Sequence, residues 1–123
     1  MPRVVVTTIC KPTENPDKVM RSMLNIFPDL QIEEVDEELV GTSESVANLE
    51  ELLRKQRIRS AARAVFRKCV EGDRLRFRLN KQVAFVGKVN FAESSPLGDI
   101  EVTIEDDDIE GLIDRIAPRT PEG

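Results

Sequence analysis

The sequence predicts an α+β fold: a single, largely antiparallel sheet with helices packed on one face. Segments of strand-like and helix-like period follow one another in the order β-α-β-α-α-β-β-β-α along 123 residues. Short connections join the last three predicted strands, which favours antiparallel pairing. Apolar and charged residues alternate in these strands, so one sheet face is expected to be polar. The length fits one domain, residues 1–123.

The first strand and the first helix have clear signals. Residues 3–10 are β-branched and bounded by prolines, which predicts a central strand. Asn15 is a good N-cap and Pro16 suits the first helical position. The helix is predicted to run to about Phe27.

A weaker strand is predicted at residues 30–40. Apolar and polar residues alternate there, and five acidic residues indicate a solvated edge or loop. Residues 41–43 are predicted to form a loop that leads to Ser45, a candidate N-cap for the next helix.

The longest helical segment, residues 49–70, has two opposed apolar sides. Leu49, Leu52 and Leu53 share one side of its first half, but the apolar residues of the second half lie on the other side. One straight helix cannot bury both sides against one sheet. The sequence therefore predicts a break near Lys55–Arg57; the alternative is a continuous helix between the sheet and a partner subunit.

The C-terminal third is predicted to hold three strands and a helix. Residues 74–80 alternate cleanly, and a short connection to residues 83–91 predicts a hairpin, with Gly87 marking a bulge or a close approach. After a loop at residues 94–98, residues 99–105 predict the third strand. Three aspartates then start a last helix, where carboxylates favour the helix dipole, and a short tail follows.

Several classes of function have no support in the composition. The chain has no His, Trp or Tyr and no apolar run long enough to span a membrane. It has no nucleotide-binding loop and no nucleophile–base pair, so no enzymatic activity and no cofactor are expected. The acids at residues 105–110 fit a helix start better than a metal site. Cys10 and Cys69 are expected to be reduced thiols in a cytoplasmic protein, although a disulfide stays possible.

Charge is distributed unevenly along the chain. Residues 50–88 carry twelve basic and four acidic residues, a net of +8, within a chain of net charge −5. Residues 1–49 carry a net −5, from four basic and nine acidic residues, and residues 89–123 a net −8, from two and ten. The basic region either presents a positive surface to a polyanion or is neutralised by the acidic regions within the fold.

A row of arginines is the best candidate for contact with a polyanion. Arg59, Arg63 and Arg67 lie at i, i+4 and i+8, so they stack roughly 6 Å apart on one side of a helix. That spacing is near the separation of phosphates along RNA, and the guanidinium fork pairs well with phosphate oxygens. No acidic residue between positions 52 and 70 is available to pair with them.

Basic residues of the predicted hairpin extend this surface. Arg74, Arg76 and Arg78 share the polar side of their strand. Alternatively, Glu101 and Glu105 of the last strand pair with them across the sheet.

Base stacking is not expected, because the phenylalanines of the region are predicted to be core residues: Phe77, Phe85 and Phe91. Recognition would then use phosphates and shape.

The chain resembles an archaeal family of uncharacterised small proteins, a domain of unknown function. The blocks that carry the resemblance are KPTENPDKV (11–19), LLRKQRIRSAAR (52–63), LNKQVAFVGKVNF (79–91), PLGDI (96–100) and IAPRTPEG (116–123). The resemblance implies a fold similar to that of large-subunit ribosomal protein five and an RNA-binding role linked to the archaeal exosome. It implies roles for the polar members of the blocks: Arg54, Gln56, Arg63, Lys81, Gln82 and Lys88. The family pattern has an acid and a His where this chain has Ser60 and Asn80.

Together these observations predict a non-catalytic RNA-binding protein that contacts the phosphate backbone, with an exosome or ribosome-related protein partner. The alternative is a protein–protein adaptor or homodimer that pairs its basic helix with an acidic surface. The candidate nucleic-acid-binding residues are Arg54, Lys55, Arg57, Arg59, Arg63, Arg67, Arg76, Arg78, Lys81, Gln82 and Lys88.

Overall fold

The computed structural model describes residues 2–92 and 99–120. That part of the chain forms six strands and five helices. In chain order they are β1 (Arg3–Ile9), α1 (Pro16–Ile26), β2 (Gln31–Val35), β3 (Glu38–Ser43), α2 (Ala47–Lys55), α3 (Arg59–Cys69), β4 (Val70–Glu71), β5 (Arg74–Asn80), α4 (Lys81–Phe85), β6 (Asp99–Glu105) and α5 (Ile109–Ile116). The predicted loop at residues 94–98 and positions 121–123 of the predicted tail lie outside the described residues.

All six strands form one antiparallel sheet in the order β2-β3-β1-β6-β5-β4, which confirms the predicted fold class. The register aligns the inward residues of neighbouring strands: Val6 pairs with Val102, which pairs with Phe77. All three are buried, and the helices cover this face. The outward positions of the same strands are half-buried or exposed, because no element among the described residues covers the other face.

Helix α1 follows its sequence signals. The Asn15 side chain accepts a hydrogen bond from the N–H of Asp17 (2.9 Å), and Pro16 begins the helix. Val19 and Met23 are buried against the sheet. The predicted N-cap and the predicted start of the helix at Pro16 are confirmed.

The prediction of one weak strand at residues 30–40 followed by a loop was wrong. The segment forms a hairpin, β2 and β3, whose turn places Asp36 at a positive φ of 58°. β3 was missed because its inward positions alternate Leu39, Gly41 and Ser43, which hides the strand pattern. Gly41 leaves room for Leu30, since a Cβ there would lie 2.9 Å from a methyl carbon of Leu30 and that side chain would have to shift.

The predicted helix break is confirmed. α2 ends at Lys55 and α3 begins at Arg59, and Arg57 between them has a φ of 59°. The turn lets both apolar sides face the same core, so that Leu53 of α2 and Phe66 of α3 are fully buried.

The predicted strand at residues 83–91 was wrong. Asn80 ends β5 and caps a short helix, α4, by accepting a hydrogen bond from the N–H of Val83 (3.0 Å). Gly87, with a φ of 82°, follows the helix and does not form a bulge. The chain then returns to β5, where Phe91 forms a single bridge with Leu79. Local capping overrode an apolar pattern that fits a strand equally well.

Of the three phenylalanines predicted to be core residues, Phe77 and Phe91 pack in the core and Phe85 does not. Phe66, Phe77 and Phe91 pack together with ring centroids 4.9 to 5.8 Å apart. Phe85 is instead 36% exposed, at the end of α4.

The strand at residues 99–105 and the last helix are confirmed as β6 and α5. Asp108 caps α5.

Cys10 and Cys69 are both free and half-buried. No helix within residues 2–92 and 99–120 is long and apolar enough to cross a membrane.

Candidate nucleic-acid interface

The arginine row of α3 lies beside α5, and acidic residues of α5 pair with it. Arg63 Nη1 lies 2.7 Å from Asp114 Oδ1 and also donates to the carbonyl of Ala117 (3.3 Å). Arg67 forms an ion pair with Glu110. Arg59 is half-buried at the start of the helix. The acids that neutralise the row are distant in sequence, which favours the alternative of internal neutralisation.

The strand arginines lie on a different surface, the uncovered face of the sheet. Arg74 lies 3.7 Å from Glu105, and both Arg76 and Arg78 lie within 4 Å of Glu101 (3.9 and 3.6 Å). The cross-strand pairing considered from the sequence is therefore present. These contacts are long and exposed, so each contributes little to stability.

Lys81 is a buried structural residue. It is only 9% exposed, and its Nζ donates to the carbonyl of Ile9 (2.8 Å) and to Glu14 Oε2 (3.2 Å). Burial acts to raise the pKa of the Glu14 carboxyl, but hydrogen bonds from the Lys11 N–H and from Lys81 outweigh it, so this pKa lies below its usual value. Burial, assisted by the charge of Glu14, raises the pKa of the Cys10 thiol, which keeps that thiol protonated.

The helix break carries a cluster of exposed cations. Arg54 and Lys55 share Glu51 as an ion-pair partner, the latter at 3.8 Å. Arg57 and Lys88 are exposed and form no ion pair with any residue in 2–92 or 99–120. These four residues, Arg54, Lys55, Arg57 and Lys88, are here called the junction cations.

Two hydrogen bonds bring the junction cations together. The Gln56 side chain donates to the carbonyl of Val89 (3.0 Å) and accepts from the Val89 N–H (2.6 Å). Because Arg57 follows Gln56 and Lys88 precedes Val89, the two unpaired cations flank this contact. Gln56 therefore joins the α2–α3 turn to the segment after α4.

A neighbouring surface, between α1 and α4, was missed from the sequence. The Asn25 side chain of α1 donates to the carbonyls of Ala84 and Phe85 (3.0 Å each). Lys18 and Arg21 are exposed on the same side of α1, seven and four residues before Asn25. The i, i+3, i+7 spacing of these three polar residues places them on one side of α1. The sequence does not show that α4 packs beside this side, so the spacing alone did not predict a binding surface.

Gln82, the remaining candidate, is exposed on α4 and lines a pocket between α4 and α1. The structure thus separates the eleven predicted residues. It groups Arg54, Lys55, Arg57 and Lys88, places Arg63 and Arg67 against α5 and Arg59 at the start of α3, leaves Arg76 and Arg78 on the open sheet face, and buries Lys81. No cluster of metal-binding side chains occurs in the part of the chain that the structure covers.

Comparison with known proteins identifies relatives across nearly the whole chain. A family model described as "RNA binding" matches residues 3–105. A UPF0201 protein of Methanothermobacter thermautotrophicus is 45% identical over 96% of this chain and 92% of its own. The crystal structure of the UPF0201 protein from Methanococcus jannaschii is 42% identical, with a TM-score of 0.86 over 96% of this chain and 94% of its own. A second solved UPF0201 protein, 38% identical, gives a TM-score of 0.92 over 98% and 97% of the two chains.

These identities confirm the resemblance to an archaeal family that the sequence blocks carried. The chain belongs to the UPF0201 family of archaeal proteins, and to the RNA-binding family whose model covers residues 3–105.

Proposed function

We propose that this protein is a non-catalytic RNA-binding protein that contacts the phosphate backbone through the junction cations. The observation that carries the proposal is the placement of Arg57 and Lys88, two exposed cations without an acidic partner among the described residues, on either side of the Gln56–Val89 contact. The family description supports RNA as the ligand.

The basic side chains differ in whether a carboxylate already lies beside them. A cation that already has a carboxylate partner gains less from a phosphate, because the carboxylate offsets part of its charge and repels the incoming phosphate, even where the exposed pair itself is weak. Arg63, Arg67, Arg76 and Arg78 are in this position. Arg57 and Lys88 have no such partner among the described residues, so they contribute most.

The remaining candidates have supporting roles. Arg54 and Lys55 add positive charge next to Arg57, and both are exposed although they share one glutamate. Arg59 extends the surface toward the rest of α3. Lys81 holds α4 in place through its buried contacts with Ile9 and Glu14.

The resemblance supports a further proposal, that the protein acts in RNA processing in the cytoplasm, in association with the exosome or with ribosome-related proteins. A small RNA-binding domain without catalytic groups would supply substrate binding to such an assembly.

The test is RNA affinity measured across salt for the double variant Arg57→Gln/Lys88→Gln. Removing two contacts with a single strand is expected to lower the slope of log affinity against log salt by about 1.4. The matched control, Arg74→Gln/Arg76→Gln, removes the same charge from the open sheet face and is expected to retain the slope of the unmodified protein. Equal slopes for all three proteins would refute the proposal and favour the adaptor or homodimer alternative.

A further inference from the structure

A pocket of about 290 Å³ lies between the start of α1 and α4. Asn15 and Lys18 of the α1 side and Gln82 and Phe85 of α4 lie along it, over the Lys81–Glu14 ion pair. The volume is at the small end of the range for ligand pockets, about 300–1,000 Å³, which suits one ring system.

The pocket is held rigidly before any ligand binds. Asn25 fixes the end of α4 by donating to the carbonyls of Ala84 and Phe85. Lys81 fixes the start of α4, because its buried ammonium joins the carbonyl of Ile9 and the Glu14 carboxylate. A preformed site loses little conformational entropy on binding.

The chemistry of the pocket suits a nucleobase. Of the five phenylalanines, Phe85 alone is not buried or packed in the aromatic cluster, and its ring is available for stacking. Every base has a π-face that an aromatic ring can stack on.

Polar groups at the rim of the pocket complete the site. The Asn15 side-chain oxygen accepts from Asp17 N–H, so its NH₂ group remains to donate. The Gln82 amide and the Lys18 ammonium are exposed beside it. These donors match carbonyl oxygens on a base edge and the adjacent phosphate. The Glu14 carboxylate is already ion-paired, so it does not repel a phosphate as a free acid would.

We infer that this pocket binds one unpaired base of single-stranded RNA, which stacks on Phe85 while Lys18 contacts a neighbouring phosphate. The inference rests on the proposed function and adds a base-binding subsite to it. It differs from the expectation, drawn from the sequence, that the protein recognises phosphates and shape alone.

Fluorescence gives a direct test, since the chain contains no Trp or Tyr. In the variant Phe85→Trp, titration with oligouridylate is expected to quench the introduced tryptophan, because the base stacks on it. The variant Val35→Trp is the matched control, because Val35 is 49% exposed on the edge strand β2, away from the helical side, and does not line the pocket. Its fluorescence is expected to change little.

Affinity measurements separate the contribution of the bases to binding from that of the phosphate backbone. The unmodified protein is expected to bind oligouridylate about 5- to 100-fold more tightly than an abasic strand with the same number of phosphates. Phe85→Leu keeps the apolar contact but not the aromatic ring, and is expected to remove this difference without changing affinity for the abasic strand. Thermal melting verifies that each variant is folded.

The outcomes are distinguishable from failure of the proposed function. Equal binding of both strands, with no quenching in Phe85→Trp, overturns the base pocket but leaves phosphate binding intact. Binding of neither strand overturns both. Binding that Phe85→Leu leaves unchanged shows that Phe85 faces another partner, and also overturns the inference.

Discussion

Single polar side chains fix the arrangement of the helices in this protein. Asn25, Gln56 and Asn80 each satisfy backbone groups of the segment from α4 to Val89. A buried backbone group that loses its partner costs about 1–3 kcal/mol, so each contact stabilises one particular placement of that segment. The sequence showed the residue types but not these partners, because Gln56 and Val89 are distant in the chain.

The Lys81–Glu14 ion pair is expected to make the stability of the fold depend on pH. Because the Glu14 carboxyl has a lowered pKa in the folded state, the pair stabilises the fold above about pH 4.5, and this contribution is lost as the pH falls through the folded-state pKa. Glu14→Gln is therefore expected to lower the free energy of unfolding by about 1–2 kcal/mol at pH 7. The difference from the unmodified protein should shrink toward pH 3.

Urea unfolding at pH 7 and at pH 3 measures this effect. Glu33→Gln on the exposed edge strand β2 is the control, expected to change stability by less than about 0.5 kcal/mol at either pH. A Glu14→Gln deficit of equal size at both pH values would contradict the assigned role of the ion pair.

At the scale of elements, the turn between α2 and α3 could be predicted because its signal is local. The apolar residues of the two halves would lie on opposite sides of one continuous helix. Both halves can face the same core only if the helix breaks between them. The β2–β3 hairpin and α4 could not be predicted, since Gly41 and Ser43 interrupt one pattern and a strand-like run of apolar residues hides the other. The pairing of α3 with α5 joins Arg63 to Asp114, and no local pattern contains it.

The positive φ of Arg57 is expected to reduce the stability of the turn between α2 and α3. Its φ of 59° is unfavourable for a residue with a side chain, so Arg57→Gly is expected to raise the free energy of unfolding by up to about 1 kcal/mol. The same variant should weaken RNA binding. Its effects on stability and on RNA affinity would then have opposite signs. Lys55→Gly, in the last turn of α2, is the control and should destabilise by about 1 kcal/mol. Comparable losses in both variants, measured by urea unfolding, would show that the Arg57 side chain stabilises the turn.

The ion pairs between α3 and α5 are expected to limit the contribution of the arginine row to RNA binding. Glu110→Gln/Asp114→Asn removes the carboxylates that neutralise Arg67 and Arg63. The freed arginines are expected to raise RNA affinity several-fold at low salt, while exposed pairs of this kind change stability by less than about 1 kcal/mol. The control is Glu33→Gln/Glu34→Gln, which removes two carboxylates from β2 and so changes the net charge of the protein by the same amount. A gain no larger than in that control, measured by equilibrium binding, would show that the arginine row does not reach the RNA.

For the whole molecule, the three charge blocks seen along the chain are mixed by folding. The acidic C-terminal block supplies α5 to the arginine row and β6 to the strand arginines, so much of the basic block is neutralised. Among the cations that have no ion-pair partner in the described structure, Lys18 and Arg21 of α1 and Lys88 and Arg57 beside the helix break lie on the helical side, with Phe85 between the two groups. The sequence located the basic region but not this surface, because the partners of its charges come from elsewhere in the fold.

We propose that RNA binds on this helical side and not on the open sheet face. Backbone amide NMR during titration with a single-stranded RNA measures it directly, at a molecular mass of 13.9 kDa. We expect the largest shift changes at residues 54–58 and 82–89 and along the exposed side of α1, with little change at residues 74–78. Shift changes concentrated at residues 74–78, or none at saturating RNA, would contradict the account.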